Sequence, residues 1–370
     1  MRPWADAPVL PRRVGYLYCG HRRDASGRAE SRADPKESPL SADLLDAVCI
    51  GNAIVDVISA AEPEFLSRHE LVPGSMNLID ETQAETLYGQ MGPGREISGG
   101  SAGNTAAGIA SLGGACGFIG KVHNDELGNV YTHDMRAARV EFTTAHLVAG
   151  PATARSLILV TPDAERTMNT FLGACVELGP DDIDEDQIAR AQVTYMEGYL
   201  WDPPLAKDAF RRAIQIAHGA GRKTALTLSD SFCVDRYRQE FLQLLEGDID
   251  ILFANEDELK SLYQVEDFDD ALQRVQGHCE IAALTRSEKG SVVVRGNEVH
   301  IIDAAPVDRV VDTTGAGDLY ASGFLYGLAR DYDLKTCGTI AGLAAAEIIS
   351  HYGARPETQL KKLVDERITI

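Results

Sequence analysis

Hydrophobic positions in the second half of the chain alternate between two periodicities. Short apolar runs at 193–200, 224–229 and 249–253 are separated by longer segments with a helical pattern, which extend to about Ala220 and Leu245. Repeated strand and helix units of this kind predict a parallel sheet covered by helices on both faces. We therefore expect an α/β protein whose ligands bind at the carboxyl ends of the strands.

The first half of the chain has the pattern of short strands. An apolar strand is predicted over 46–58, and brief alternation at 76–79 predicts one strand of a small lid. Apolar runs at 157–160 and 167–171 flank a polar tip, which predicts a β-hairpin. We expect a small β lid formed by segments within about 56–175.

The segment 312–318 reads Asp-Thr-Thr-Gly-Ala-Gly-Asp and precedes an apolar run that predicts a buried helix. A helix beginning at about Gly315 would aim the N–H groups of Gly315, Ala316 and Gly317 outward together, with the positive end of the helix dipole behind them. This arrangement predicts an anion seat. Asp318 would repel a phosphate there, which favours a separate role as base for an attacking hydroxyl. An ordinary glycine turn followed by a helix-start acid is the alternative.

Several polar residues within or next to the predicted strands and helices are further candidates for a ligand-binding site. Asn52 and Asp56 interrupt an apolar strand, where they would either cap the strand end or hold hydroxyl groups of a substrate. Arg166 at the hairpin would be a solvated charge or a phosphate ligand, because a guanidinium can pair two phosphate oxygens. Asn255 and Glu258 share one face of a first helical turn, as in a capping box.

Composition narrows the function classes. The 370 residues, 44% of them hydrophobic, suffice for one large domain or two smaller ones. The net charge of −21 argues against nucleic acid and anionic membranes as partners, which leaves small-molecule substrates. Seven scattered cysteines and no long apolar run predict a cytoplasmic protein. Residues 1–43 are predicted to be a disordered extension, or a basic targeting peptide, ahead of one domain over 44–370.

Two glycine-rich motifs carry a resemblance to a known family. The segment 312–318 is similar, residue for residue, to the C-terminal signature of the PfkB (ribokinase-like) family of sugar and nucleoside kinases. Gly99, Gly100 and Asn104 match its N-terminal signature, and the resemblance extends over about 46–356. It implies a ribokinase-like three-layer α/β/α sandwich with a mainly parallel central sheet and a small β lid.

The resemblance also implies a role for each candidate residue. Asp318 would be the catalytic base, Arg166 would reach the transferring phosphate, and Asn255 with Glu258 would position Mg²⁺, mostly through water. The implied catalytic residues are Asp318, Gly315, Ala316, Gly317 and Arg166; the substrate-binding residues are Asn52, Asp56, Gly99, Gly100 and Asn104; the nucleotide-binding residues are Asn255, Thr285, Gly290 and Thr313. Two positions depart from the family pattern, with His123 and Ser287 in place of glycines.

Segments outside the two signatures look more like the adenosine kinases of the family than its sugar kinases. They are 197–199, 227–229 and 250–256, together with Asn52 and Asp56. The predicted reaction is ATP-dependent phosphorylation of the 5′-hydroxyl of adenosine in a monomer or homodimer. Mg²⁺ is the predicted cofactor, and a monovalent cation is a further candidate. A sugar kinase, a guanosine or inosine kinase, and an inactive nucleoside- or sugar-binding regulator are the alternatives.

Overall fold

Two β-sheets and twelve α-helices make up the part of the chain that the computed structural model describes, residues 44–163 and 165–368. The predicted extension over 1–43 lies outside the described residues. The strands are β1 (Leu45–Ile50), β2 (Ile54–Ala60), β3 (Met76–Leu78), β4 (Gly94–Ser98), β5 (Cys116–Ile119), β6 (Val140–Phe142), β7 (Ala154–Val160), β8 (Arg166–Phe171), β9 (Ala191–Glu197), β10 (Lys223–Thr227), β11 (Ile251–Asn255), β12 (Ile281–Thr285), β13 (Ser291–Arg295) and β14 (Glu298–Ile302). The helices are α1 (Pro63–Arg68), α2 (Glu81–Gln90), α3 (Ser101–Ser111), α4 (Glu126–Ala137), α5 (Glu185–Arg190), α6 (Pro204–Gly219), α7 (Ser231–Leu245), α8 (Glu256–Tyr263), α9 (Phe268–Val275), α10 (Ala316–Leu328), α11 (Leu334–Ile348) and α12 (Leu360–Arg367).

The larger sheet has nine strands in the order β14-β13-β12-β11-β10-β9-β1-β5-β6. The strands from β12 to β6 are parallel, whereas β13 and β14 are antiparallel to their neighbours. Every residue of β1 is buried, as expected for a parallel strand covered on both faces. The predicted parallel α/β sheet is therefore confirmed.

Two apolar cores separate this sheet from its two helical layers. One core contains Phe210 of α6 and Phe241 of α7, and the other contains Ile109 of α3 and Phe324 of α10. Helices thus cover both faces of the sheet, which confirms the three-layer α/β/α sandwich. Among the described residues, no helix combines the length and the apolar character that crossing a membrane requires.

The smaller sheet has five strands in the order β3-β8-β7-β2-β4. Its strands β7 and β8 are antiparallel neighbours, which confirms the predicted hairpin. The predicted single strand over 46–58 is wrong. It forms β1 in the large sheet and β2 in the small one, and the chain crosses between the sheets at Gly51 and Asn52. A Cβ on Gly51 would lie 2.2 Å from Oε2 of Glu197, so only glycine fits at this crossing.

Candidate active site

A cleft of about 910 Å³ lies between the carboxyl ends of the central strands and one face of the small sheet. Glu197, Asn255 and Thr285 line it at the ends of β9, β11 and β12. Ile158 and Met168 line it from the small sheet. A cavity therefore lies where the sequence predicts ligand binding, at the carboxyl ends of the strands. Its volume is sufficient for a nucleoside or a nucleotide.

Most of the predicted site residues line this cleft. They are Asn52, Asp56, Gly100, Asn104, Asn255, Glu258, Thr285, Thr313, Gly315, Ala316, Gly317 and Asp318. Gly99, Arg166 and Gly290 are not part of its lining. Residues from opposite ends of the chain therefore meet in one cavity.

Asp318 lies in the first turn of α10 and is held by two donors from α3. Ser101 Oγ donates to Oδ1 at 2.6 Å, and Asn104 Nδ2 donates to Oδ2 at 2.9 Å. Desolvation in the cleft raises the pKa of Asp318, and the two donors oppose that rise by stabilising the carboxylate. Among the described residues, Oδ1 of Asn104 is buried without a hydrogen-bond partner, so it is an available acceptor for a substrate hydroxyl.

The turn before α10 has a geometry that explains its glycine. Gly315 has φ +81° and ψ 0°, and the N–H of Ala316 donates to the carbonyl of Thr313 at 3.2 Å. These values are those of a type II turn with glycine at its third position. The predicted outward fan of three amides is therefore wrong for Ala316, whose N–H closes the turn. Gly317 lies in the first helical turn, where backbone N–H groups have no acceptor within the helix.

Arg166 is placed beside this turn and is not a solvated surface charge. Its side chain is only 12% exposed, and its guanidinium forms an ion pair with Asp312. Asp312 also accepts from Thr314 N–H at 3.0 Å and from Gly353 N–H at 3.0 Å. Burial opposes ionisation of Asp312, but the hydrogen bonds from Thr314 and Gly353 and the charge of Arg166 hold its pKa below the usual range. The guanidinium of Arg166 is therefore held close to the predicted anion seat.

Asp56 occupies the opposite side of the cleft, on β2. Burial raises the pKa of Asp56 to about 6, against the opposing charges of Arg355 and Arg166. A Cβ on Gly99 would lie 2.4 Å from Oδ2 of Asp56, so the glycine allows the backbone to pass directly behind the carboxylate. Asn52 donates from Nδ2 to Oε1 of Glu197 at 2.8 Å.

Asn255 and Glu258 form a reciprocal capping box at the start of α8. Glu258 N–H donates to Asn255 Oδ1 at 2.8 Å, while the backbone N–H and Nδ2 of Asn255 donate to the carboxylate at 2.9 and 2.6 Å. Burial raises the pKa of Glu258 to about 7. Over the described residues, no group of three or more His, Cys, Asp or Glu side chains could hold a metal ion. The oxygen donors suit Mg²⁺, but because both are engaged in the box they fit a hydrated ion held through water.

The turn between β12 and β13 carries one of the two departures from the family pattern, at Ser287. Ser287 has φ +51°, a left-handed conformation that glycine adopts more easily. Gly290 has φ +80°, and a Cβ there would lie 2.0 Å from the carbonyl oxygen of Ile302. The second glycine therefore serves close packing against the end of β14.

In the sequence analysis no role in the site was assigned to three residues: Ser101, Glu197 and Arg355. Glu197 is fully buried and accepts from the N–H of Ala102 at 2.8 Å, and burial raises its pKa to about 7. Ser101 lies inside the predicted glycine-rich segment and could have been found from its position before the helix. Arg355 carries no local signal, because its contacts depend on residues some 250 positions earlier in the chain.

Comparisons with known proteins agree with this geometry. The sequence model for pfkB family carbohydrate kinases matches residues 71–360. The ATP-dependent ribose-1-phosphate kinase of Halopiger xanaduensis is 31% identical over 269 residues, which are 70% of this chain and 83% of that protein. The structure of adenosine kinase from Sinorhizobium meliloti is 54% identical with a TM-score of 0.81, and the match covers 88% of this chain and 99% of that one. A probable sugar kinase from Rhizobium etli CFN 42 is 53% identical with a TM-score of 0.82, over 88% and 98% of the two chains.

Proposed function

Since the chain belongs to the PfkB family of carbohydrate kinases, and is therefore a phosphotransferase with an alcohol acceptor, we propose that it transfers the γ-phosphoryl group of ATP to the 5′-hydroxyl of adenosine. The observation that carries the proposal is the position of Asp318. Its carboxylate, held by Ser101 and Asn104, lines the same cleft as Asp56 and the glycine turn before α10. A proton acceptor, a hydroxyl-binding carboxylate and an anion seat thus share one cavity.

The acceptor side binds the ribose. Asp56 accepts hydrogen bonds from vicinal hydroxyl groups, and the free Oδ1 of Asn104 accepts another. These contacts fix the sugar so that its primary hydroxyl faces Asp318. Orientation of this kind supplies much of the rate enhancement in phosphoryl transfer, because the reaction needs in-line placement more than covalent chemistry.

Asp318 receives the hydroxyl proton late in the reaction. Even with its raised pKa, a carboxylate is too weak a base to ionise an alcohol beforehand. It takes the proton as the bond between oxygen and phosphorus forms. The turn at Gly315 and Gly317 and the guanidinium of Arg166 stabilise the charge on the transferring group. For this step Arg166 has to release part of its ion pair with Asp312 and form an ion pair with the phosphate instead.

Asn255 and Glu258 would hold Mg²⁺ through its water ligands. When bound, the ion neutralises charge on the phosphate oxygens. ATP as the donor is supported by the ATP-dependent relative from Halopiger xanaduensis. A reducing cytoplasm is the proposed location, and the six free cysteines among the described residues are consistent with it.

An apolar wall favours a nucleoside over a simple sugar as acceptor. Beyond Asp56 the cleft is lined by Met76, Leu78, Ile158 and Met168 of the small sheet. A flat purine base would cover these side chains, whereas a free monosaccharide would leave them in contact with water. The sugar kinase remains the second candidate, since a probable sugar kinase is similar at 53% identity.

A substrate panel tests the proposal. ADP release is measured with Mg-ATP and each of adenosine, guanosine, inosine, ribose and fructose, for the parent and for Asp318→Asn. We expect turnover with adenosine and a loss of about 10²- to 10⁴-fold in the variant. Asp208→Asn, at an exposed position of α6 away from the cleft, is the control and keeps full activity. Turnover with sugars alone would favour the second candidate, and tight binding without turnover would indicate a regulator.

A further inference from the structure

A partly buried arginine outside every recognised motif contacts the glycine-rich turn on the acceptor side. Arg355 donates from Nε to the carbonyl of Ser98 at 2.8 Å and from Nη1 to the carbonyl of Gly103 at 2.6 Å. Its Nη2 also donates to Ser98 Oγ at 3.1 Å. A planar guanidinium fixes the positions of all three acceptors relative to one another. Arg355 therefore shapes the segment 98–104, which carries both donors to Asp318.

The two residues before Arg355 contact the other glycine turn. The N–H of Gly353 donates to Oδ2 of Asp312 at 3.0 Å. A Cβ on Gly315 would lie 2.9 Å from the Cβ of Ala354, so the turn packs directly against this side chain. The three consecutive residues, here called the C-terminal link, thus touch both halves of the cleft.

The guanidinium also faces several ionisable groups. They are Asp56 on β2, Tyr131 and Asp134 on α4, and Asp318 on α10. Burial lowers the pKa of Arg355, yet an arginine side chain remains protonated in proteins. Its charge lowers the pKa of Asp56 and of Asp318, in opposition to the larger effect of burial. Arg355 is thus a cation that acts on both Asp56 and Asp318.

We propose that Arg355 is a positioning residue for phosphoryl transfer. It holds the segment 98–104 in register with the turn at 312–318, so that both hydrogen-bond donors of α3 reach the carboxylate of Asp318. Its charge also favours the ionised form of that carboxylate. The inference rests on the proposed kinase function, and it requires no contact between Arg355 and either substrate.

Two substitutions separate the geometric role from the electrostatic one. Arg355→Met keeps much of the length but removes the charge and the fork, whereas Arg355→Lys keeps only the charge. We expect kcat for adenosine-dependent ADP release to fall about 100-fold in Arg355→Met, because small displacements of reacting groups have effects of this size. The KM for adenosine rises, while the Kd for ATP measured by calorimetry stays unchanged. Arg355→Lys lies between the parent and the methionine variant.

Arg330, which lies away from the cleft, offers a matched control. Arg330 pairs with Asp46 at 2.8 Å and packs on the ring of Tyr326, and none of these three residues lines the cleft. Arg330→Met likewise removes a partly buried guanidinium together with its polar contacts. We expect it to lower the midpoint of thermal unfolding without changing kcat or KM.

The pH profile is the readout that a merely structural role would not alter. In Arg355→Met the acid limb of kcat/KM moves to higher pH, because Asp56 and Asp318 lose their shared cation while their mutual repulsion remains. Arg355→Lys keeps the limb of the parent. The remaining groups that face either carboxylate are the same in all variants; they are Arg166, Tyr131, Tyr195, Glu197 and Tyr199.

The outcomes distinguish this inference from the proposed function. A folded Arg355→Met with parental kcat and an unmoved acid limb overturns the positioning role alone. If Arg355→Met does not fold, Arg355→Lys decides, since parental kcat and KM in that variant would show that the fork is not needed. If the parent itself releases no ADP with any acceptor, the proposed function fails and the inference fails with it.

Discussion

The side-chain amide of Asn104 lies 2.9 Å from Oδ2 of Asp318, although the two residues are 214 positions apart in the chain. The hydroxyl of Ser101 lies 2.6 Å from the other carboxylate oxygen. Each oxygen of the proposed base therefore has its own donor from α3. Because burial raises the pKa of Asp318 and these donors lower it, their balance sets the pH at which the carboxylate is ionised.

Removing one donor is expected to shift this balance. Ser101→Ala raises the pKa of Asp318 further, so activity is lost at a higher pH as the solution is acidified. Near the pH optimum we expect kcat to fall about tenfold, since a hydrogen bond to a charged group contributes roughly 1.5–3 kcal/mol. The measurement is the pH dependence of kcat by ADP release. Ser111→Ala is the control, because it removes a hydroxyl that accepts from Leu360 N–H at 3.0 Å at the other end of the same helix. An unmoved acid limb in Ser101→Ala would contradict the assignment of Asp318 as the base.

The close approach of Gly99 to Asp56 predicts a defect confined to the acceptor. In Gly99→Ala the new Cβ would lie 2.4 Å from Oδ2 of Asp56 and displace that carboxylate from the ribose hydroxyls. We expect the KM for adenosine to rise at least about tenfold, because the loss of one hydrogen bond to a charged group weakens binding by about this factor. The Kd for ATP is expected to stay unchanged. Gly89→Ala on α2 is the matched control, since no atom among the described residues lies within 4 Å of its Cβ. Equal defects for adenosine and ATP would argue against a ribose contact at Asp56.

The two glycines of the C-terminal motif should respond in opposite ways. Gly315 has φ +81°, and its new Cβ would lie 2.9 Å from that of Ala354, so Gly315→Ala is expected to lower the free energy of unfolding by roughly 1–2 kcal/mol. Gly317 lies in a helix, and no described atom comes within 4 Å of its Cβ, so Gly317→Ala is expected to raise stability by up to about 1 kcal/mol. The same variant loses turnover, because the methyl group occupies the anion seat. Urea unfolding and ADP release measure the two effects. Full turnover in Gly317→Ala would exclude this residue from the seat.

Buried carboxyl groups predict a stability that falls as the pH rises. Burial raises the pKa of Asp56 to about 6, and those of Glu197 and Glu258 to about 7. The folded state therefore binds more protons than the unfolded state between about pH 4 and pH 7, and the free energy of unfolding decreases across this interval. Glu258 alone contributes on the order of 3 kcal/mol to that decrease.

Glu258→Gln tests this pH dependence. The variant cannot ionise at this position, so the plot of unfolding free energy against pH should become flatter between about pH 4.5 and pH 7, even if the lost box contact lowers the absolute stability. Urea unfolding at several pH values is the measurement. Glu64→Gln, at an exposed position of α1, should leave the slope as in the parent. A parallel offset in Glu258→Gln would mean that the carboxyl group is already ionised throughout this range.

Local patterns in the amino-acid sequence were sufficient to predict the fold class and most of the residues that line the cleft. Periodicity separates the strands from the helices because burial on one or two faces leaves a local pattern. Glycine-rich turns are equally local, since Gly315 is required by its own φ angle. Most of the residues that such patterns mark, from Asn52 to Asp318, line one cleft at the carboxyl ends of the parallel strands.

The contacts among these residues, and the identity of the unmarked residues that support them, depend on packing between distant parts of the chain. The break at Gly51 follows from the buried Glu197, 146 residues later, and was therefore predicted wrongly as a continuous strand. The pairing of Arg166 with Asp312 and the hydrogen bonds of Arg355 join segments that are distant in the chain. Contacts of this kind depend on packing between elements, which leaves no periodic trace at either partner. A local pattern can identify a turn or a helix start, but only the folded chain shows what lies against it.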